Sequence, residues 1–206
     1  MYNWLAYYGN GYIAQQWTQE QRAQNVDIIA GYFLNQGGRS WTPNAIAAML
    51  GNMQAESYIN PGQWQHGFPV ESPSSLCGYG LVQWTPWWQK IAPWTNNNLQ
   101  DYDAQLSRIQ YEVINNIQWE QDRPGVHYDE TFSDFTQSTA TIDYLTRCFF
   151  WCYEYGTWSD DRITWANYWY IYITNNPPPA PTPISPTNSN EMKIMFYLKP
   201  KWKRGY

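Results

Sequence analysis

The residues best placed for chemistry centre on one carboxylate, Glu56, which closes the apolar run Ala47-Ala48-Met49-Leu50-Gly51-Asn52-Met53-Gln54-Ala55. A polar stretch separates it from Cys77-Gly78-Tyr79-Gly80-Leu81-Val82-Gln83-Trp84-Thr85-Pro86. A carboxyl group at a helix end beside a Gln-bearing segment is suited to giving a proton to a glycosidic oxygen. That task requires an acid that keeps its proton near neutral pH, which desolvation or an unfavourable local field provides. Glu56 has both available: it falls on the same side as Met49 and Met53, and in a last turn, where the negative end of the helix dipole disfavours an ionised carboxylate. Ser57 and the polar segment beyond can orient it. Spacing alone also accommodates an ordinary surface glutamate in a last turn, and leaves both readings open.

The elements that must position Glu56 are legible from caps and periodicity. Thr18 and Gln21 read as a capping box opening a helix to about Gln36, with Val26, Ile29, Ala30, Phe33 and Leu34 on one face and Gly37 and Gly38 as the stop. Thr42 before Pro43 opens a second helix carrying Ile46, Met49, Leu50 and Met53, which should end between Glu56 and Tyr58. Asn60-Pro61-Gly62 is a turn. Residues 63–85 show no helical period and read as short strands and loops. Helices are predicted again over 99–117 and 139–153, and from a Ser159 cap, with Asp160 and Asp161 in the first turn, to about Asn175. The pattern is α+β, mostly α-helical, with a small hairpin sheet inserted after the helix that carries Glu56. Residues 1–176 form one catalytic domain; 177–190, rich in Pro, Ser, Thr and Asn, form a semi-rigid linker; and 191–206 form a short basic and apolar segment too short to fold alone, either a docking strand or a frayed tail.

Composition bounds the function. Residues 1–176 hold 7 Lys and Arg against 16 Asp and Glu, while 191–206 hold the other 5 bases and 1 acid, so the body lacks the basic face that nucleic-acid binding requires. No run of 18 apolar residues exists, so no membrane span is expected. The start, MYNWLAYYGNGY, lacks the charged region and apolar stretch of a secretory signal. With 14 Trp and 18 Tyr, flat rings replace much of the usual Leu and Val; most should pack a core, and some can stack on sugar faces. Cys77, Cys148 and Cys152 make no even disulfide framework and read as small core residues. With only His66 and His127 and no HExxH or paired CxxC, neither a metal nor a cofactor is expected.

The run Glu56-Ser57-Tyr58-Ile59-Asn60-Pro61, followed by Gly78-Tyr79-Gly80-Leu81-Val82-Gln83, resembles the E-S-x-x-x-P and G-x-x-G-L-x-Q pair of lytic transglycosylases and goose-type lysozymes. It is closer still to the tail-associated lysozymes of bacteriophages, and Tyr153-Glu154, Arg162, Ala166 and Trp169-Tyr170 look like the closing helices of that family, so the resemblance covers about 19–173. The resemblance implies a lysozyme-like fold and a virion component, made in the host cytoplasm, that cuts the β-1,4 bond between N-acetylmuramic acid and N-acetylglucosamine in peptidoglycan. An endolysin is the alternative setting, and a glycan-binding or structural tail protein the alternative class. By resemblance Glu56 is the general acid, with Ser57, Tyr79, Gln83 and Trp84 lining the sugar groove; Trp64, Trp84, Trp87 and Trp88 cluster near the hairpin as stacking candidates. A two-carboxylate lysozyme needs a partner acid. Glu71 is the only acid between Ser57 and Gln100, Asp101 or Asp143 could reach in from a helix, or no partner exists and a hydroxyl of the substrate attacks, as in lytic transglycosylases. Some relatives carry a metallopeptidase domain after a linker; this chain ends soon after its own linker and lacks an adequate histidine set, so glycan rather than peptide is the expected target. Segment 191–206 would dock on other tail subunits.

Overall fold

The computed structural model describes residues 1–66 and 76–177; Glu71, all but the first residue of the linker, and segment 191–206 lie outside the described residues. Helix α1 (Gln19–Leu34) begins with Thr18 and Gln21 capping each other reciprocally, as their spacing predicts. Helix α2 (Pro43–Ser57) begins at Thr42, whose hydroxyl accepts from the Ala45 amide ahead of proline in the first turn. It is the central helix: every residue from Ala45 to Gln54 is buried. After the short α3 (Trp87–Lys90) come α4 (Asp103–Asn115), α5 (Phe132–Gln137), α6 (Ile142–Phe149) and α7 (Asp161–Asn175). Helix α5, which the sequence does not single out, opens on a capping box between Thr131 and Asp134. Helix α6 runs on into a wider π-helical turn over Phe150–Glu154.

Helix α2 packs against α7, α6, α5 and α1. The α2–α7 crossing is close because Gly51 faces it: a Cβ there would lie 2.3 Å from the Arg162 carbonyl oxygen and 2.7 Å from the Ala166 Cβ. Below α2 the core is largely aromatic. Trp119 stacks on Phe132 at 4.5 Å, and Phe135, Phe149, Tyr153 and Trp41 close around them. The three cysteines are buried and unbridged.

Among the described residues the fold is mostly helical with one small antiparallel sheet, as expected; part of the stretch in which a hairpin was expected after α2, residues 67–75, lies outside the described residues. The strands of the sheet, β1 (Asp122–Arg123) and β2 (Val126–His127), follow α4 and turn at Gly125, whose φ is +80°. After α2 the described residues make single bridges only, Gly9 with Gln63, Trp64 with Tyr79 and Tyr79 with Trp84. In the described part of this stretch Trp64, Tyr79 and Trp84 all turn their rings inward, which departs from the inward–outward alternation of a half-exposed strand. Among the described residues no helix is long and apolar enough to cross a membrane.

Candidate active site

The C-terminal end of α2 is held in an unusual turn. Tyr58 and Ile59 both take left-handed backbone conformations, φ +58° and +59°, and for β-branched Ile59 this is strained. Buried side chains of α1 hold the turn: Asn25 Nδ2 donates to the Ile59 carbonyl at 2.7 Å and Arg22 Nε to that of Tyr58 at 3.3 Å. Asn60 reaches back to the opening segment, accepting from the Tyr7 amide and donating to its carbonyl. Ser57 Oγ lies against the carbonyls of Met53 and Leu81, at 3.0 and 2.8 Å, and so fastens the helix end to the loop beyond.

Glu56, one residue earlier, opens into a cleft of about 630 Å³. Trp64, Val82, Gln83, Lys90, Gln118, Glu120, Arg123, Tyr153, Glu154 and Tyr155 are among the residues that line it. The expected apolar niche around Glu56 is instead a charged one. Arg162 Nη2 donates to Glu56 Oε1 at 2.6 Å while Nη1 donates to Asn52 Oδ1 at 3.0 Å, and the guanidinium lies 4.7 Å over the Phe150 ring. The Arg162 side chain is 6% exposed and that of Glu56 23%, so this ion pair is only partly screened by water. Glu154 sits at the end of the π-helical turn, and burial first, then the charge of Glu56, pushes its carboxyl well above the usual carboxylate range. Its Oε1 has no hydrogen-bond partner among the described residues, and neither does the buried Nε1 of Trp64. Burial pulls the Lys90 ammonium below its ordinary value. Arg123 caps the Tyr155 ring at 4.2 Å. The arrangement brings Glu56, paired with a cation, and Glu154, whose proton burial favours, to a cleft that Glu120 also lines and that has unpaired polar atoms in its walls, which suits acid–base chemistry on a polar ligand. Among the described residues no group of three or more His, Cys, Asp or Glu could hold a metal ion.

The family model for phage tail lysozymes matches residues 24–173, a span that contains this whole cleft. The chain belongs to the phage tail lysozyme family. It is also 39% identical over 175 residues to Morphogenesis protein 1 of Bacillus phage B103, an alignment covering 82% of this chain and 44% of that protein. The chain thus spans less than half the length of the curated relative it matches.

Within this lysozyme-like cleft the residues singled out by sequence divide. Glu56, Trp64 and Gln83 line it. Ser57, Tyr79 and Trp84 do not; each is fully buried and spends its polar atoms inside the protein. Ser57 is bonded as above, the Tyr79 hydroxyl donates to the Leu99 carbonyl at 2.6 Å, and Trp84 Nε1 donates to the buried Glu112 carboxylate at 3.1 Å. They therefore build the wall from behind and cannot touch a sugar. Trp87 is half-buried against Trp64 at 5.3 Å, and Trp88, though exposed, lies outside the cleft. Asp143 is also corrected as a second carboxylate: it faces outward on α6, paired with Arg147 at 3.1 Å, and Asp101 likewise stands off the cleft. Glu71 lies outside the described residues. Glu154 and Tyr155 line the cleft, and Arg162 reaches Glu56, from outside the paired motif. In the sequence Glu154 and Arg162 are marked only as part of the family-like closing helices, and nothing in their spacing predicts the π-helical turn over Phe150–Glu154 that brings Glu154 to the cleft.

Proposed function

We propose that this chain is the glycan-cutting part of a phage tail, cleaving the β-1,4 bond between N-acetylmuramic acid and N-acetylglucosamine so that the tail can penetrate the cell wall. The observation that carries the reading is Glu56, the motif carboxylate, lining a cleft of about 630 Å³ beside a buried arginine and a second acid. Glu56 delivers the proton to the bridging oxygen. The exposed ring of Tyr155 offers an apolar face to a pyranose ring, Gln83 presents its side chain alongside, and buried Trp64 backs the wall between them. Segment 191–206, with 5 bases and 1 acid, would dock on a neighbouring tail subunit, and its deletion should impair incorporation into virions without loss of cleavage by the free protein.

Glu56→Gln keeps size and hydrogen bonding but cannot donate that proton. It should fold with an unchanged circular dichroism spectrum and lose at least about 10²-fold in the release of soluble fragments from purified peptidoglycan. Retention of the full rate by a folded Glu56→Gln protein would refute the assignment. Mass spectrometry of the wild-type digest separates the two product classes: hydrolysis leaves a reducing end, whereas attack by the substrate's own hydroxyl leaves an anhydro end lighter by one water.

A further inference from the structure

Two glutamates lie behind or beside the cleft, Glu112 fully buried and Glu154 partly exposed with a buried Oε1, and their surroundings differ in kind. Glu112 on α4 is fully partnered: Trp84 Nε1, the Tyr153 hydroxyl and Arg108 Nε all donate to its oxygens. Such a carboxylate is a structural hub. Glu154 lines the cleft, and its buried Oε1 has no partner among the described residues. For packing alone this is a poor choice, because an apolar side chain would avoid the cost of burying an unsatisfied carboxyl. The charges that bear on Glu154 come from every element around it: Glu56 on α2, Arg162 on α7, Glu112 on α4 and Lys90 on α3. Two of these are anionic and two cationic, and Arg162 is already committed to Glu56 and Asn52. Glu56 and Glu154 line one partly dry cleft whose guanidinium is already committed, and two like charges placed there repel.

We propose that Glu154 is the second carboxyl group of the reaction, working with Glu56 as a pair that carries one proton between its two members. The proposal rests on the glycosidase reading and deepens it. It supplies the partner acid that neither Asp143 nor Asp101 can provide, and it explains how a glutamate held by an arginine takes part in proton delivery. In the step, the bond from the anomeric carbon to the bridging oxygen breaks as that oxygen takes the pair's proton. A new bond forms from the anomeric carbon to the oxygen of water, or of a hydroxyl of the substrate, and the proton of that nucleophile returns to the pair. The pair ends with the one proton it began with.

Two measurements on the full chain test this. The first is the pH dependence of fragment release from purified peptidoglycan by wild type and Glu154→Gln, with folding checked by thermal melting. The proposal expects a bell-shaped profile for wild type, and for Glu154→Gln a fall in kcat of about 10²-fold or more together with loss of one limb of the bell. An unchanged rate and profile in folded Glu154→Gln overturns it, and so does a lower rate with both limbs intact, which marks a merely structural role. The second measurement needs no activity: carboxyl carbon NMR titration of glutamate-labelled protein. Glu56 and Glu154 should each respond in both of two steps, and Glu56 should titrate in a single step in Glu154→Gln. Independent single-step titrations in wild type overturn the pairing. A wild-type protein that releases no fragments refutes the glycosidase reading, and the titration still decides the pair.

Discussion

Gly51→Ala sets helix propensity against packing at the joint that positions the site. In the middle of an exposed helix, alanine would be favoured over glycine by about 1 kcal/mol. Here a Cβ would fall 2.3 Å from the Arg162 carbonyl oxygen, 2.7 Å from the Ala166 Cβ and 2.9 Å from the Ala166 nitrogen. Two of these three are backbone atoms of α7 and the third is fixed to it, so no flexible side chain can swing aside. Restoring contacts of about 3.5 Å requires α7 to retreat by about 1 Å. Overpacking of this kind costs about 1–3 kcal/mol, enough to outweigh the propensity gain and leave the variant less stable by about 1–2 kcal/mol. For a chain of this size that lowers Tm by about 2–8 °C. The retreat also moves Arg162, whose guanidinium holds Glu56 at 2.6 Å, and a displacement of about 1 Å at a catalytic group costs up to about 10²-fold in rate. Thermal melting by circular dichroism and fragment release from peptidoglycan read the two effects. Gly38→Ala is the control: nothing lies within 4 Å of its added carbon and its φ is not positive, so both readouts should stay near wild type. A Gly51→Ala protein that melts at or above the wild-type temperature and cuts at the wild-type rate would refute the argument.

Other substitutions probe single contacts. Trp84→Phe removes a donor from buried Glu112 without opening a large void, and denaturant unfolding should show a loss of about 1–3 kcal/mol; a change under 0.5 kcal/mol would mean the Trp84–Glu112 bond is not what holds this wall. Tyr155→Ala removes an exposed ring from the cleft mouth and should raise the Kd for chitooligosaccharide by about 2–10-fold with little effect on Tm; unchanged affinity would exclude the ring from the sugar path. Glu154→Gln has a pH-dependent effect on stability whose sign follows from burial. The folded Glu154 carboxyl lies above its unfolded value, so its contribution is present while both states hold the proton and is lost as pH rises through the folded value. The glutamine variant should therefore exceed wild type in Tm at pH 8, with the gap shrinking toward pH 4; a gap that widens on acidification would contradict it.

What the sequence discloses here is local, and what it conceals depends on distant partners. The Thr18–Gln21 and Thr42–Pro43 signals act through hydrogen bonds within one turn, and the helices start at those residues. Glu56 was legible because helical period and motif agree on it. The neighbours Gln83 and Trp84 were not separable: one lines the cleft and the other is buried because Glu112, on a different helix, receives its indole proton. Ser57 and Tyr79 were misplaced for the same reason, their hydrogen-bond partners being Leu81 and Leu99 and not solvent. After α2 the described residues, with the inward rings of Trp64, Tyr79 and Trp84, make single bridges, while Pro124-Gly125 supplies the turn for the pair of strands found among the described residues. Arg162 meets Glu56 because Gly51 lets α7 come close to α2.

The opening residues bear on how the protein should be handled. Tyr2 and Trp4 bond to Asp103, Leu5 exchanges two bonds with Asn25, Tyr7 exchanges two with Asn60, and Gly9 pairs with Gln63. Asn25 is also the residue that holds the left-handed Ile59. A recombinant boundary drawn at residue 24, where the family match begins, would sever every one of these ties and loosen the turn behind Glu56. A tag is better placed ahead of Met1 on a flexible spacer than in exchange for the first nine residues.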